Sequence, residues 1–326
     1  MKFTSYILLF SLVFVCSCQN HNNHSIEDFT ITNLYDAFGE EKKGLIKDFG
    51  FSALVKYKGK LILFDSGTNA DILEKNVKAI GIDLKQIDFA VGSHAHGDHL
   101  NGFDYLIEIN PDVKIYLPFD FYIGANINFN VEGKEKEAIN SLPPKMKYFG
   151  GEKNMNLKIN QSGRFWNANV EYIKGNKELE PGINLIFTKS PFLGYASKYP
   201  SVENKNDLHS PNSNIKFSGL PEISLSLSTD HGEILVVGCS HSSVQNIVIE
   251  TNKYTNNKVN LLYGGYHLLP YDRSEINHIA SQLKNDLKVE KLAPTHCTGH
   301  LAFKILQDIY GNNYLFAGLG ETIKFN

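Results

Sequence analysis

The sequence predicts an α/β protein made of two similar halves that face one another. Two observations lead there. Short apolar runs that read as strands alternate with stretches of helical apolar spacing, and the same grammar, a strand running into a polar loop and then a helix, occurs early in LILFDSG and DFAVGSHAH and late in ILVVGCSH and KLAPTHCTG. A chain of 326 residues, 42% of them hydrophobic, has ample material for a buried core.

Taken in order, FTITNLYD, FSALVKYKGK and KLILFDSG read as strands, with Lys58-Gly59-Lys60 a hairpin turn between the last two. NADILEKNVKAIGI carries apolar residues at Ile72, Leu73, Val77 and Ile80 and a stop at Gly81, the pattern of a helix. IDFAVGS is a buried strand, HLNGFDYLIEINP a second helix closed by Pro111, and VKIYLP another strand. The middle, about residues 119–220, is irregular and rich in Asn, Gly, Pro and Ser; it predicts some strands and an inserted, lid-like segment. Order returns with the hairpin ISLSLSTDHGEILVVGCSH, turning at Thr229 to Gly232, and the helix VQNIVIETNKY. Strand VNLLYGG, helix SEINHIASQLKN, strand KLAPTHC and helix HLAFKILQDIYG follow, and YLFAGLGETIKF reads as an edge strand pair.

A formal net charge of -3 gives no polycationic face, which sets nucleic acid aside as a partner. The N-terminus differs in kind. MKFTSYILLFSLVFVCSC has Lys2, an apolar run from Tyr6 to Val15 and no further basic residue until Lys42. That run is shorter than the roughly 20 residues of a spanning helix, so residues 1–17 are expected to be a signal peptide. The end Val15-Cys16-Ser17-Cys18 resembles a bacterial lipobox with Cys18 as the lipidated first residue of the mature chain. Residues 18–28 then form a polar tether and 29–326 the folded domain, exported and lipid-anchored to a bacterial membrane on its periplasmic or surface-facing side. Removal of the signal leaves Cys18, Cys239 and Cys297, too few for a disulfide framework.

The chemistry concentrates in SHAHGDHLNG, Ser93 to Gly102. His94 and His96 are two apart, so at the extended end of a strand both rings point to one side. Asp98 and His99 fall on the following turn and helix start. Imidazole and carboxylate are the ligands that catalytic zinc sites take, and one loop here supplies about half of what a pair of ions needs.

His-Ala-His-Gly-Asp-His matches the HxHxDH signature, and on this motif the chain resembles the metallo-β-lactamase superfamily. FDSG at Phe64 to Gly67, GCSH, GGYHLL and PTHCTG extend the resemblance over about residues 29–326. They are similar to the branch related to dihydropterin and ribofuranosylaminobenzene 5'-phosphate synthase. The resemblance implies a four-layered αβ/βα sandwich with two divalent metal ions between the halves, zinc first and manganese or iron as alternatives. It implies a metal-dependent hydrolase in which a metal-bound hydroxide attacks a carbonyl or phosphoryl centre of a small-molecule substrate.

On that resemblance His94, His96 and His241 are assigned to one ion and Asp98, His99 and His296 to the other, with Asp98 orienting the hydroxide and collecting its proton. His241 and His296 are chosen because each ends an apolar strand. Asp65 corresponds to the strand-end aspartate that braces the ligand loop. Most of the superfamily has a bridging aspartate where this chain has Gly238-Cys239. Cys239 therefore stands open between a bridging thiolate, a site with one tight and one weak ion, and a buried small residue. His267 is expected to bind substrate or shuttle a proton, and His300 to cap its helix or face solvent. Tyr116, Phe119, Phe121, Tyr122 and the stretch from Tyr195 to Tyr199 are candidates for an aromatic pocket. Two other functions compete: a transferase like the pterin-linked synthase, and a lipid-anchored, metal-containing binding protein without turnover, which the missing aspartate favours.

Overall fold

Lys58 and Gly59 adopt φ of 47° and 80°, the left-handed pair of a tight hairpin turn whose twist matches that of its strands. They join β2 (Ser52–Tyr57) to β3 (Lys60–Phe64), and β1 (Thr30–Tyr35) lies antiparallel on the other side of β2. The helix α1 (Ala70–Ile80) starts where the Asn69 side chain accepts the amides of Asp71 and Ile72, and ends at Gly81 with φ 84°, a capped beginning and a left-handed stop. Then come β4 (Phe89–Val91), α2 (Gly97–Leu100), α3 (Phe103–Ile109) and β5 (Lys114–Pro118).

The computed structural model describes residues 29–120, 123, 127–130, 156–159, 165, 168–190 and 220–325. The expected signal, Cys18 and the tether lie outside them, as do Phe121, Tyr122 and residues 191–219. Among the described residues, no helix is long and apolar enough to cross a membrane.

The stretch expected to be irregular contributes β6 (Ile127–Asn130) and β7 (Asn156–Ile159), a two-stranded ribbon, and β8 (Val170–Ile173), β9 (Lys177–Glu180) and β10 (Ile183–Ser190). The last three join the main sheets, so residues 170–190 hold more sheet than the composition of the segment suggests. The second half continues with β11 (Leu220–Thr229), β12 (Gly232–Val237), α4 (Val244–Thr255), β13 (Val259–Gly265), α5 (Arg273–Ser281), β14 (Lys291–Thr295), α6 (His300–Tyr310) and β15 (Thr322–Lys324). One sheet runs β15-β1-β2-β3-β4-β5-β8, the other β14-β13-β12-β11-β10-β9. Each is antiparallel at one end and parallel at the other, so the two halves repeat one plan.

Period-2 alternation gives every central strand two apolar faces. Inward, Val55, Phe64 and Val91 meet Ile223, Leu225, Val236 and Tyr263 between the sheets. Outward, Leu63, Ala90 and Ile115 pack on Leu73, Val77, Phe103 and Leu106 of α1 and α3. Leu235, Leu262 and Leu292 pack on Ile247, Ile276, Ile279 and Ile305 of α4, α5 and α6. Helix, sheet, sheet and helix make four layers, as expected from the motifs.

Two local expectations change. HLNGFDYLIEINP is two helices, because the carbonyls that would continue the first one are taken. Asp98 O accepts from Phe51 N at 3.0 Å, and His99 O accepts from Ser66 N at 2.7 Å and Ser66 Oγ at 2.9 Å. The C-terminal segment forms one strand instead of a pair. Leu315 N reaches Leu292 O at the edge of the second sheet, while β15 pairs with β1 at the edge of the first, so the segment stitches the sheets together.

Candidate metal centre

Parallel strands carry their loops at their carboxyl ends, and here those ends from both sheets converge. Asp65 follows β3, His94 follows β4, Cys239 and His241 follow β12, His267 follows β13, and His296 and Cys297 follow β14. Asp65, Ser240, His267 and His296 have φ of 57°, 62°, 51° and 47°. Such left-handed backbone costs a non-glycine residue about 1–3 kcal/mol and persists where surrounding contacts over-determine it. Among those contacts, Asp65 N donates to Val91 O at 2.8 Å, Ser240 Oγ to Gly265 O at 2.8 Å and His296 N to Asp36 Oδ2 at 3.0 Å.

Five overlapping donor triads result among the described residues, and two of them are the expected sets. His94, His96 and His241 bring their ring nitrogens within 4.8 Å of one another, and Asp98, His99 and His296 bring one donor atom each within the same limit. His94 Nε2 and His241 Nε2 are 3.2 Å apart; two nitrogens bound at about 2.0–2.1 Å to one tetrahedral ion stand about 3.3 Å apart. Asp98 Oδ2 lies 3.8 Å from His99 Nε2 and 3.5 Å from His296 Nε2. Cys239 sits where the triads meet, its Sγ 3.1 Å from His99 Nε2. His94, His99, His241, His296 and Cys239 are buried, whereas His96, Asp98 and His267 are half-buried and form the open side.

A hydrogen-bonded relay sets which nitrogens face inward. Asp65 Oδ1 accepts from Ser93 N at 2.6 Å, and Asp65 Oδ2 accepts from Ser93 Oγ at 2.8 Å and lies 2.7 Å from His99 Nδ1. The Ser93 hydroxyl gives its proton to the carboxylate, so His94 Nδ1, 2.8 Å away, donates to that oxygen. Both rings thereby hold their protons on Nδ1 and turn Nε2 lone pairs into the centre. Gly238 permits this packing, since a Cβ there would lie 2.2 Å from Ser93 Oγ and 3.2 Å from Asp65 Oδ2. A glycine fits this position and an aspartate one residue later would meet the place Cys239 occupies.

Two buried carboxylates escaped the sequence reading. Asp36 accepts the His296 amide, the Phe38 amide at 2.9 Å and Asn33 Nδ2 at 3.1 Å. Glu222 accepts the amides of His241 at 3.1 Å and Ser242 at 2.5 Å. Their one sequence signal is an acidic residue within or just after a segment that otherwise reads as buried strand.

Electrostatics keep His94 and His96 neutral. Burial, then the neighbouring His99, lowers His96 to about 4, and burial with four neighbouring imidazoles holds His94 well below the ordinary histidine value. Burial raises the Asp98 carboxyl, but His99, His296 and His96 outweigh it and hold the group below the usual carboxylate range. At His296 burial is likewise outweighed, by Cys297, Asp98 and Asp36, and the ring rises to about 9. Burial lifts Asp36 to about 6 and raises Glu222.

The remaining expectations fall out by position. His267 stands with its ring centroid 4.5 Å from that of His241, and its Nδ1 is buried without a hydrogen bond. His300 opens α6 and is exposed, as are His231 and His278. Tyr116 packs against Phe89 and the inter-sheet core, and Phe119 lies beneath Lys174 Nζ and beside Tyr172, so these two serve packing. Phe121, Tyr122 and Tyr195 to Tyr199 lie outside the described residues.

The donor set fits divalent ions. Imidazoles of His94 and His99 with Nε2 turned inward, an ionised carboxylate and a buried His296 whose Nε2 meets that carboxylate only at 3.5 Å form a centre that a cation would satisfy. Comparison with known proteins agrees. Residues 45–153 match the profile of the Metallo-beta-lactamase superfamily. The chain is 28% identical over 323 residues to a 7,8-dihydropterin-6-methyl-4-(beta-D-ribofuranosyl)-aminobenzene-5'-phosphate synthase of Methanocaldococcus jannaschii, covering 93% of this chain and 99% of that protein. It is 25% identical over 285 residues to an uncharacterized protein of the same organism, with 86% and 95% covered. A crystal structure of a metal-dependent hydrolase of the beta-lactamase superfamily shares the fold with a TM-score of 0.62 at 22% identity, over 91% of this chain and 99% of that one. The metallo-beta-lactamase fold protein YhfI from Bacillus subtilis shares it at 0.50 and 12% identity, over the same 91% and 99%. Its four layers and the strand ends that build its centre give this chain the metallo-beta-lactamase fold, and residues 45–153 are the segment that resembles the superfamily in sequence.

Proposed function

We propose that the protein is a metal-dependent hydrolase in which water attacks a carbonyl or phosphoryl centre of a small-molecule substrate and the bond from that centre to the leaving group breaks. The observation that carries this is the meeting of two three-donor groups, His94, His96 and His241 beside Asp98, His99 and His296. Divalent ions held there, most consistent with zinc and with manganese or iron as alternatives, supply Lewis acidity that brings the pKa of water toward neutrality and draws charge from the electrophile's oxygen. Asp98, half-buried and ionised, orients the attacking water and takes its proton at Oδ2. Asp65 and Ser93 keep the imidazoles of His99 and His94 aimed. His267, on the open side beside His241, contacts the substrate and returns a proton to the leaving group.

The test is turnover of phosphodiester, lactone and ester substrates by zinc- or manganese-loaded protein. Activity abolished by chelation and by His96→Ala supports the hydrolase; stoichiometric metal with no turnover on the panel supports a binding protein instead. A second reading is a synthase-like transferase, favoured by the name of the archaeal relative. It predicts transfer to an amine or aryl acceptor in preference to water.

We also propose export and lipid anchoring through Cys18, which rests on the Val15-Cys16-Ser17-Cys18 sequence. Metabolic labelling with a fatty acid, lost in Cys18→Ala, tests it; an unlabelled, unprocessed chain overturns it. An exported protein would not meet an intracellular cofactor pathway, which weighs against the synthase reading.

A further inference from the structure

Cys297 has no role in either triad, yet it lies against the centre. It is buried, as is Cys239, and both are free thiols. The two sulfurs and a ring nitrogen of His296 lie within 4.8 Å of one another. The strand end opposite leaves room for the sulfur: a Cβ on Gly265 would stand 2.8 Å from Cys297 Sγ and 2.5 Å from Gly238 O. His296, buried beside both thiols, makes no hydrogen bond through either ring nitrogen. A thiol that only fills space explains none of these. Cys297 also meets the side chains of Cys239 and His267, and its hydrogen bond to Cys239 O, at 3.8 Å, is weak. The Nε2 of His296 has the Asp98 carboxylate only at 3.5 Å, so a buried imidazole with no short hydrogen bond stands beside two sulfurs, an arrangement that a cation would complete.

We propose that Cys239 and Cys297 are both thiolate ligands of the ion held by His296, so that this half of the centre offers sulfur donors beside its imidazoles and the Asp98 carboxylate. The inference rests on the metal-centre reading given above. Each thiol loses its proton to solvent as its sulfur–metal bond forms, with no change in oxidation state. Thiolate donors select borderline and soft divalent ions, zinc, iron(II) and cobalt(II), over magnesium or manganese. The other half, His94, His96 and His241, remains an all-nitrogen triad.

Cobalt(II) reports the difference directly, because thiolate ligation adds a near-ultraviolet charge-transfer band to its ligand-field absorption. Cobalt-loaded wild-type protein, kept reduced, is expected to show that band. Cys297→Ser and Cys239→Ser should each lose roughly half of it while still binding cobalt. Serine keeps the size and the hydrogen bond of Cys297, so a space-filling role would leave its spectrum at wild-type intensity, and that result overturns the proposal. X-ray absorption of zinc-loaded wild-type protein needs no variant: a Zn–S shell at about 2.3 Å is expected, and a purely nitrogen and oxygen shell overturns the proposal. Ligand-field bands without charge transfer in the wild type would sink the thiolate ligands alone. Absence of any cobalt or zinc uptake would sink the metal centre itself.

Discussion

Asp65 Oδ2 lies 2.7 Å from His99 Nδ1, and the same oxygen accepts the hydroxyl of Ser93, which in turn takes the ring proton of His94. One carboxylate from the first sheet thereby orients an imidazole from each triad.

Replacing that oxygen with an amide should loosen both. Asp65→Asn keeps the size and tolerates the left-handed φ of 57°, yet places an N–H donor against His99 or Ser93. Metal affinity is expected to fall about 10–100-fold, read by competition with a chromophoric chelator, with thermal stability of the metal-free protein little changed.

Gly238→Ala asks for space that Ser93 occupies, since its Cβ would meet Ser93 Oγ at 2.2 Å. Ser93 must rotate and leave the relay. Crowding of this kind costs about 1–3 kcal/mol, measurable by denaturant titration, and the variant should also bind metal more weakly. Wild-type affinity would argue that the relay does not position the ligands.

Asp36 couples folding to pH. Burial raises its carboxyl from 3.8 to about 6. A group whose folded-state pKa is raised contributes stability that is present below about pH 4 and lost as pH rises through about 6. Roughly two pKa units correspond to about 3 kcal/mol. Asp36→Asn, which cannot ionise, is expected to make the metal-free protein more stable than wild type at pH 7, and the gap should close at pH 4. Chemical denaturation at the two pH values checks it. A constant gap would show that Asp36 ionisation does not carry the effect.

The inter-sheet core should be as sensitive as any well-packed interior. Leu225 is fully buried between the sheets, so Leu225→Ala is expected to cost about 2–5 kcal/mol. Because the centre is built on the ends of those same sheets, its metal affinity should fall in parallel. His300→Ala, at an exposed position on α6, should alter neither.

Much of this was legible in the chain because the signals are local. His94, His96, Asp98 and His99 lie within six residues, and a strand before them with a helix after them marks the loop. His241 and His296 were readable from another local cue, a histidine where an apolar strand stops. Asp36 and Glu222 were not. A lone acidic residue beside a strand looks like a turn or an edge, and what explains Asp36 is the amide of His296, 260 residues away. The break after α2 was hidden for the same reason, since the carbonyls of Asp98 and His99 are claimed by Phe51 and Ser66.

Periodicity and caps act over a few residues, so the alternation of strands and helices, the doubled plan and the histidine-bearing loops could be read from the sequence. It took the tertiary structure to show which donor atoms come within reach of one another, where Cys239 and Cys297 stand, and which carboxylates hold the backbones of His241 and His296. Those depend on two sheets meeting face to face across a common core. No short window of sequence contains that distance.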